Sequence, residues 1–305
     1  MTAFSKPALS LTDQVNRLLA KGLIISNLGQ ATEALRQHGL HRFKGYAHVY
    51  RDLSCPGKPF IPGTCFEDVE RLIELDERLR LVVLAGMQIV EIGVRQRINQ
   101  HMSESHGADW YVQAANFQPS AASFHESFLN DVGREVANSR ENVFEHFRAK
   151  NAGPLPPSWM MAELMTLGAW SRVYANLQIR DQRAIAQAFP LHESTLRAWL
   201  RNLTVLRNVA AHHGRLWNRS FLTMTIADEH PKYLRQTLRA HSFDLNDPQA
   251  LRVAPRLYAL HFLTHAMTPR RAWGQDLQAA LAPFTVAELP RLGFRPAWSS
   301  QPEWR

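Results

Sequence analysis

The sequence predicts an all-α fold, and three observations carry that prediction. Nearly every long patterned segment repeats its apolar residues every three or four positions, the helical period. No apolar/polar alternation of the strand type lasts beyond a few residues. No Gly-rich strand-to-helix phosphate loop is present, which argues against a nucleotide-hydrolysing α/β domain.

Taken in order, Ser10 and Thr12 are side chains that cap a helix, and a first helix is expected over residues 13–21, ended by Gly22. A second is expected over 28–38, stopping at Gly39. The aromatic and basic segment 40–50 fits no single pattern, and its structure is left open. Residues 54–64, SCPGKPFIPGT, are rich in helix breakers and mark an expected boundary. A long helix should follow over 66–101. There Leu72, Leu75, Leu79, Val82, Gly86, Ile89 or Val90, and Gly93 form a continuous core-facing stripe. Further helical pattern covers 120–150. The breakers GPLPP at 153–157 then precede Ser158, the expected N-cap of a helix running to about Leu177. Ser194 or Thr195 should cap a helix striped by Leu196, Trp199, Leu200, Leu203, Leu206 and Ala210. Beyond about Asp228 the pattern is again mostly helical, with an aromatic end at Phe294, Trp298 and Trp304. The expected divisions are thus 1–65, 66–227 and 228–305.

With 305 residues, 45% hydrophobic and 20% charged, the chain can bury a full core without metals or disulfides. The two cysteines, Cys55 and Cys65, do not supply the four short-spaced soft ligands of a zinc site, and their scarcity points to a reducing compartment. The opening MTAFSKPALS lacks an apolar signal core. The longest apolar run, 81–90, is only about half the length a bilayer requires. A soluble cytoplasmic protein is expected, with no membrane partner. The formal net charge of +8 favours a polyanionic partner, of which nucleic acid is the commonest, although the positive charges are spread along the chain.

The chemistry-bearing stretch is RNVAAHHGRLWNR, residues 207–219. On a continuous helix Asn208, His212 and Arg215 would share one face, with Arg207 beside it and His213 toward the apolar side. Such a face gathers an imidazole, guanidinium groups and an amide, with no carboxylate nearby in sequence. An imidazole moves protons at neutral pH, and a guanidinium holds two phosphate oxygens and stabilises charge developing at phosphorus. RNA carries its own nucleophile, the 2′-hydroxyl. The same pattern is compatible with a core His213, a solvated His212 and surface ion pairs.

Arg207-Asn208-(three residues)-His212 resembles the R-x4-6-H motif of HEPN domains. The full RNVAAHHGRLWNR resembles the signature of Abi-like abortive-infection proteins of the AbiD and AbiF type. Further blocks resemble that family in order: KPALSLTDQVNRLLAKGLII, HGLHRFKGYAHVYR, DERLRLVVLAGMQIVEIGVRQRI with HGADWY, PPSWMMAELMTLGAWSRVYANL, and LGFRPAWSSQPEW. Leu40 and His41 stand where aromatic residues are usual, and Ala210 where a Cys is frequent. The resemblance implies a HEPN-type helical bundle over 66–227 with helical extensions at both ends. It also implies a metal-independent endoribonuclease, without cofactor, working as a homodimer in phage defence. In that case His212 would transfer protons, Arg207 would stabilise the scissile phosphate and Asn208 would orient the site. A non-cleaving RNA-binding protein that holds a cognate small RNA or acts as a sensor is the alternative, and a cognate small RNA or an antitoxin is a candidate partner.

Several residues have two readings. Glu91 either pairs with Arg95 along its helix or orients Arg207 or His212 from a neighbouring one. Arg215 and Arg219 could contact RNA phosphate, though Arg219 is equally able to bind carbonyls at a helix end. Arg42 and Lys44, in the interleaved basic and aromatic segment, could bind RNA or simply pack against their neighbours. His261 and His265 have zinc-protease spacing, but Phe262 stands where the Glu would be and no third ligand is evident, so no metal is expected. Trp217, Met160, Met161 and Met165 are expected in the core.

Overall fold

Side-chain caps start the first two helices, the first of them two residues ahead of its expected start. In the computed structural model, Ser10 accepts from the Asp13 amide at the head of α1 (Leu11–Leu19), and Asn27 accepts from the Gln30 amide at the head of α2 (Leu28–His38). Gly39, at φ 77°, ends α2 and opens α3 (Leu40–Ala47), so the ambiguous segment is helical and closes in a 3-10 turn, His48–Tyr50. The structure describes residues 7–304 except 152, 154, 225, 227–229, 231–234, 238, 240, 242–246, 270, 271, 297, 302 and 303. The first residues of the opening MTAFSKPALS, and Asp228 with much of the expected helical tail just after it, lie outside the described residues.

The chain forms two compact units, Met1–Leu79 and Arg80–Arg305, and the division falls inside α4 (Phe66–His106). Residues 54–64 lie inside the first unit. They belong to an ordered loop of the first unit, closed by the Arg51–Phe60 bridge and by the Phe60 amide, which donates to the Lys21 carbonyl at 2.7 Å. The start of α4 joins the same unit. Phe66 stacks on Phe43 with ring centroids 4.6 Å apart, and the Tyr46 hydroxyl donates to the buried Asp76 carboxylate at 2.6 Å.

The second unit comprises the rest of α4, α5 (Ala122–Asn138), α6 (Asn142–Lys150), α7 (Ser158–Leu164), α8 (Leu167–Asn176), α9 (Ile179–Gln187), α10 (Glu193–Ala211), α11 (Ala254–Met267), α12 (Trp273–Leu281) and α13 (Leu289–Leu292). Helix α10 is its centre and packs against α8, α9 and α11. Leu196, Trp199, Leu200, Leu203, Leu206 and Ala210 are all buried, as their spacing requires. Each large apolar side chain buried in this way contributes about 1.5–3 kcal/mol. Helix α11 adds Arg256, fully buried, which donates to Asn202 Oδ1 on α10 at 3.1 Å and to the Arg252 and Ala250 carbonyls. Burial brings its guanidinium down to about 10.

In α4, Leu72, Leu75, Leu79, Gly86, Ile89 and Val90 are buried, and Val82 and Gly93 half-buried. Two of these glycines are notches. A Cβ on Gly86 would meet the Trp273 ring at 2.6 Å, and one on Gly93 would collide with Met267. Trp273 also donates to the Val82 carbonyl at 2.8 Å. Among the described residues there is no sheet, only isolated bridges, and no helix is long and apolar enough to cross a membrane.

Several expectations about helix ends and extents are corrected. Ser158 is not an N-cap: Pro157 holds that position, while the buried Ser158 hydroxyl meets Ser103 Oγ at 2.8 Å. The expected helix to Leu177 is broken at Met165–Thr166, and Thr166 caps a new one, α8. Likewise His192, not Ser194 or Thr195, caps α10. The helical pattern at 120–150 is realised as two helices.

Candidate functional site

The last turn of α10 carries Arg207 and Asn208, and the helix closes on His212 as its C-cap. The His212 amide donates to the Asn208 carbonyl at 3.0 Å, so the spiral persists to His212 and sets its side chain one turn beyond that of Asn208. Both residues are exposed. Among the described residues neither Asn208 nor His212 has a side-chain hydrogen-bond partner. Arg207 lies about 140° from His212 around the axis, so one copy of the helix does not set them side by side.

The turn that follows is a Schellman motif. His213 donates to the Ala210 carbonyl at 3.1 Å and Gly214 to the Val209 carbonyl at 2.7 Å, with His213 itself in the left-handed position at φ 57°. Glycine is usual there because a Cβ costs about 1–2 kcal/mol in that conformation. At Gly214, by contrast, a Cβ would press on Val209 at 3.0 Å. The helical wheel therefore fails beyond residue 212. His213 is exposed rather than directed to the core, and Arg215 lies past the helix end instead of on the Asn208–His212 face. Leu216 and Trp217 are buried and fix the outgoing chain. Arg219 is exposed and stands 5.7 Å over the Phe221 ring.

Arg207 is half-buried, and its Nε lies 3.7 Å from Glu91 Oε2 on α4. The other oxygen of Glu91 accepts the Leu167 amide at 2.8 Å, the first helical residue of α8. One carboxylate thus ties α4, α8 and α10 together. It also satisfies a donor that the break at 165–166 leaves without an intrahelical partner. Arg95 turns elsewhere, to Glu163 at 3.0 Å and the Ala162 carbonyl at 3.3 Å, so the i, i+4 pairing does not hold Glu91. Because Glu91 meets Arg207 through Nε, the Nη groups are left as donors with no partner among the described residues. A guanidinium held in this way presents a fork suited to two phosphate oxygens.

Of the expected site residues, the second unit brings together Arg207 and Glu91, with Asn208 and His212 on the same helix end. Arg215 lies past the end of that helix. Arg42 and Lys44 belong to the first unit. Arg42 meets Glu77 at 3.4 Å and lies 5.9 Å over the Tyr46 ring, whereas Lys44 lines a cavity with other cations. The cations Lys21, Arg51 and Lys58 of that cavity were not legible as a group, because they are scattered between a helix end and a loop. Among the described residues no group of three or more His, Cys, Asp or Glu side chains is placed to hold a metal ion. His261 is buried, with its ring 5.2 Å from that of Trp304.

The fold and this helix end define an all-α protein with an arginine, an amide and an imidazole at the end of one helix. Residues 33–218 match the model of the Abi-like protein family, and this span exceeds half of the chain; the chain belongs to that family. It takes in Glu91, Arg207, Asn208 and His212 and stops just short of Arg219. Membership suggests a part in abortive infection, the defence that limits phage. No curated protein and no solved structure matches the chain.

Proposed function

We propose that this Abi-like protein is a HEPN-type endoribonuclease of the AbiD/AbiF kind, acting on RNA in the cytoplasm with Arg207 and His212. The observation that supports this most is Arg207 beside Glu91, with no partner for its Nη donors among the described residues, on the same helix end as exposed Asn208 and His212. The 2′-oxygen of RNA attacks the adjacent phosphorus, the P–O2′ bond forms and the P–O5′ bond breaks. One proton leaves the 2′-hydroxyl and one is delivered to the departing 5′-oxygen. His212 performs one of these transfers, Arg207 holds the charge that builds on the phosphoryl oxygens, and Asn208 orients the phosphate. The products are a 2′,3′-cyclic phosphate and a 5′-hydroxyl. A homodimer that turns two α10 ends toward one cleft supplies the second proton-transfer group, since Arg207 and His212 point apart on one helix.

The test is incubation of the purified chain with end-labelled RNA in EDTA, beside His212→Ala. Cleavage that resists EDTA and disappears in the variant supports the reading. Equal cleavage by both proteins rejects it. Tight, salt-sensitive binding without cleavage replaces it with a protein that holds a cognate RNA.

A further inference from the structure

The first unit contains a cavity of about 420 Å3 lined by Lys21, Lys44, His48, Arg51 and Lys58, with Ala47, Leu53 and Gly57. Its lining includes four cationic side chains and no carboxylate. Backbone carbonyls hold two of the cations in place. Lys21 Nζ donates to the Gly57 carbonyl at 3.0 Å, while Arg51 donates to the carbonyls of Gly57 and Lys58 and lies 4.6 Å over the Phe60 ring. Among the described residues none of Lys21, Arg51 and Lys58 forms an ion pair. The carboxylate next in sequence, Asp52, is taken by the Ser54 amide and hydroxyl and by the Cys55 thiol.

The cost of this arrangement falls on Lys21. Burial, and next the positive charges of Arg51, Arg17 and Lys58, hold its ammonium below its ordinary value. Burial also lowers Arg51. The cations thus repel one another, and the loop that gathers them is itself bent through two left-handed residues, Gly57 at φ 76° and Lys58 at φ 50°. Lys21, Arg51 and Lys58, gathered without an ion pair among the described residues, define a place for an anion of more than one charge.

We propose that this cavity is an oligophosphate-binding site, taking two or more adjacent phosphate groups. The guanidinium of Arg51 forks onto one phosphate, and Lys21, Lys44 and Lys58 neutralise it and its neighbour. Adjacent phosphates come either as a nucleoside polyphosphate or as successive links of an RNA backbone. The site does not depend on the cleavage reading of α10, because it is built from other residues and needs no chemistry at the ligand.

Sodium tripolyphosphate titrated into the full chain by calorimetry, against sodium chloride of equal ionic strength, tests it. Saturable binding is expected, weakened roughly tenfold in Lys58→Asn and in Lys21→Gln. Asn tolerates the left-handed backbone at 58, so that variant keeps the loop even if Lys21→Gln fails to fold. Displacement by ATP but not by a 5′-hydroxyl 2′-O-methyl RNA identifies the ligand as a nucleotide. Displacement by that RNA, which has no 2′-hydroxyl to react, identifies a backbone. No binding above the chloride control, or binding that Lys58→Asn leaves unchanged, overturns the proposal.

Discussion

Along α10, Leu196, Trp199, Leu200, Leu203 and Leu206 are buried, whereas Asn208 and His212 just beyond them are exposed. The first stretch is held by packing on α8, α9 and α11 and by the Arg256–Asn202 bond. The last turn is held by the buried Ala210, by the Schellman closure at its end and by the Glu91 carboxylate at its side. A buried region spreads its stability over many contacts, so each residue contributes a few kcal/mol and none is unique. The exposed turn contributes little to the core and leaves its polar atoms available for another molecule. The same helix thus anchors the fold at one end and offers chemistry at the other.

Substitutions can separate these two roles. The largest effect is expected for His212→Ala and Arg207→Ala, each reducing RNA cleavage about 10²–10⁴-fold while the melting temperature stays near that of the wild type. Loss of cleavage together with unfolding would break the distinction between the two regions. Trp199→Ala should do the reverse. Chemical denaturation is expected to show a loss of about 3–5 kcal/mol, because a fully buried ring facing Phe262 leaves a cavity. Glu91→Gln retains an oxygen for the Leu167 amide but no charge for Arg207. It is expected to lower kcat roughly tenfold and to shift stability by less than about 0.5 kcal/mol. Smallest of all, His213→Gly should change stability by no more than about 1 kcal/mol, since glycine relieves the left-handed strain. Cleavage should survive it. A His213→Gly protein as inactive as His212→Ala would move the imidazole's role to the other histidine.

Much of the helical pattern was legible because period and caps agree. Helix α2 spans 28–38 and stops at Gly39 as expected, and the stripe of α10 is buried at every position that spacing assigns. What could not be read depends on contacts distant in sequence. Nothing at Met165–Thr166 resembles a breaker, yet the helix is interrupted there and Glu91, 76 residues earlier, receives the freed amide of Leu167. The choice between the two readings of Glu91 was equally hidden, since Arg95 has a competing acceptor in Glu163. At the helix end, the wheel extrapolated past a Schellman turn whose left-handed residue is His213 rather than glycine, and so misplaced His213 and Arg215. The loop at 54–64 looked like a linker because its breakers are real. Its pairing with Lys21 and Tyr50 is what makes it part of a unit.

The Glu91 carboxylate has a spectroscopic consequence. Helix geometry gives the Leu167 amide no acceptor of its own, so the side chain that also tethers Arg207 supplies its protection. The hydrogen-exchange rate and chemical shift of that single amide therefore act as a gauge of the carboxylate's position. A ligand that draws Arg207 outward frees Glu91 to tighten on Leu167. One that displaces Glu91 exposes the amide to solvent exchange. A label at residue 167 would report on the arginine without altering it.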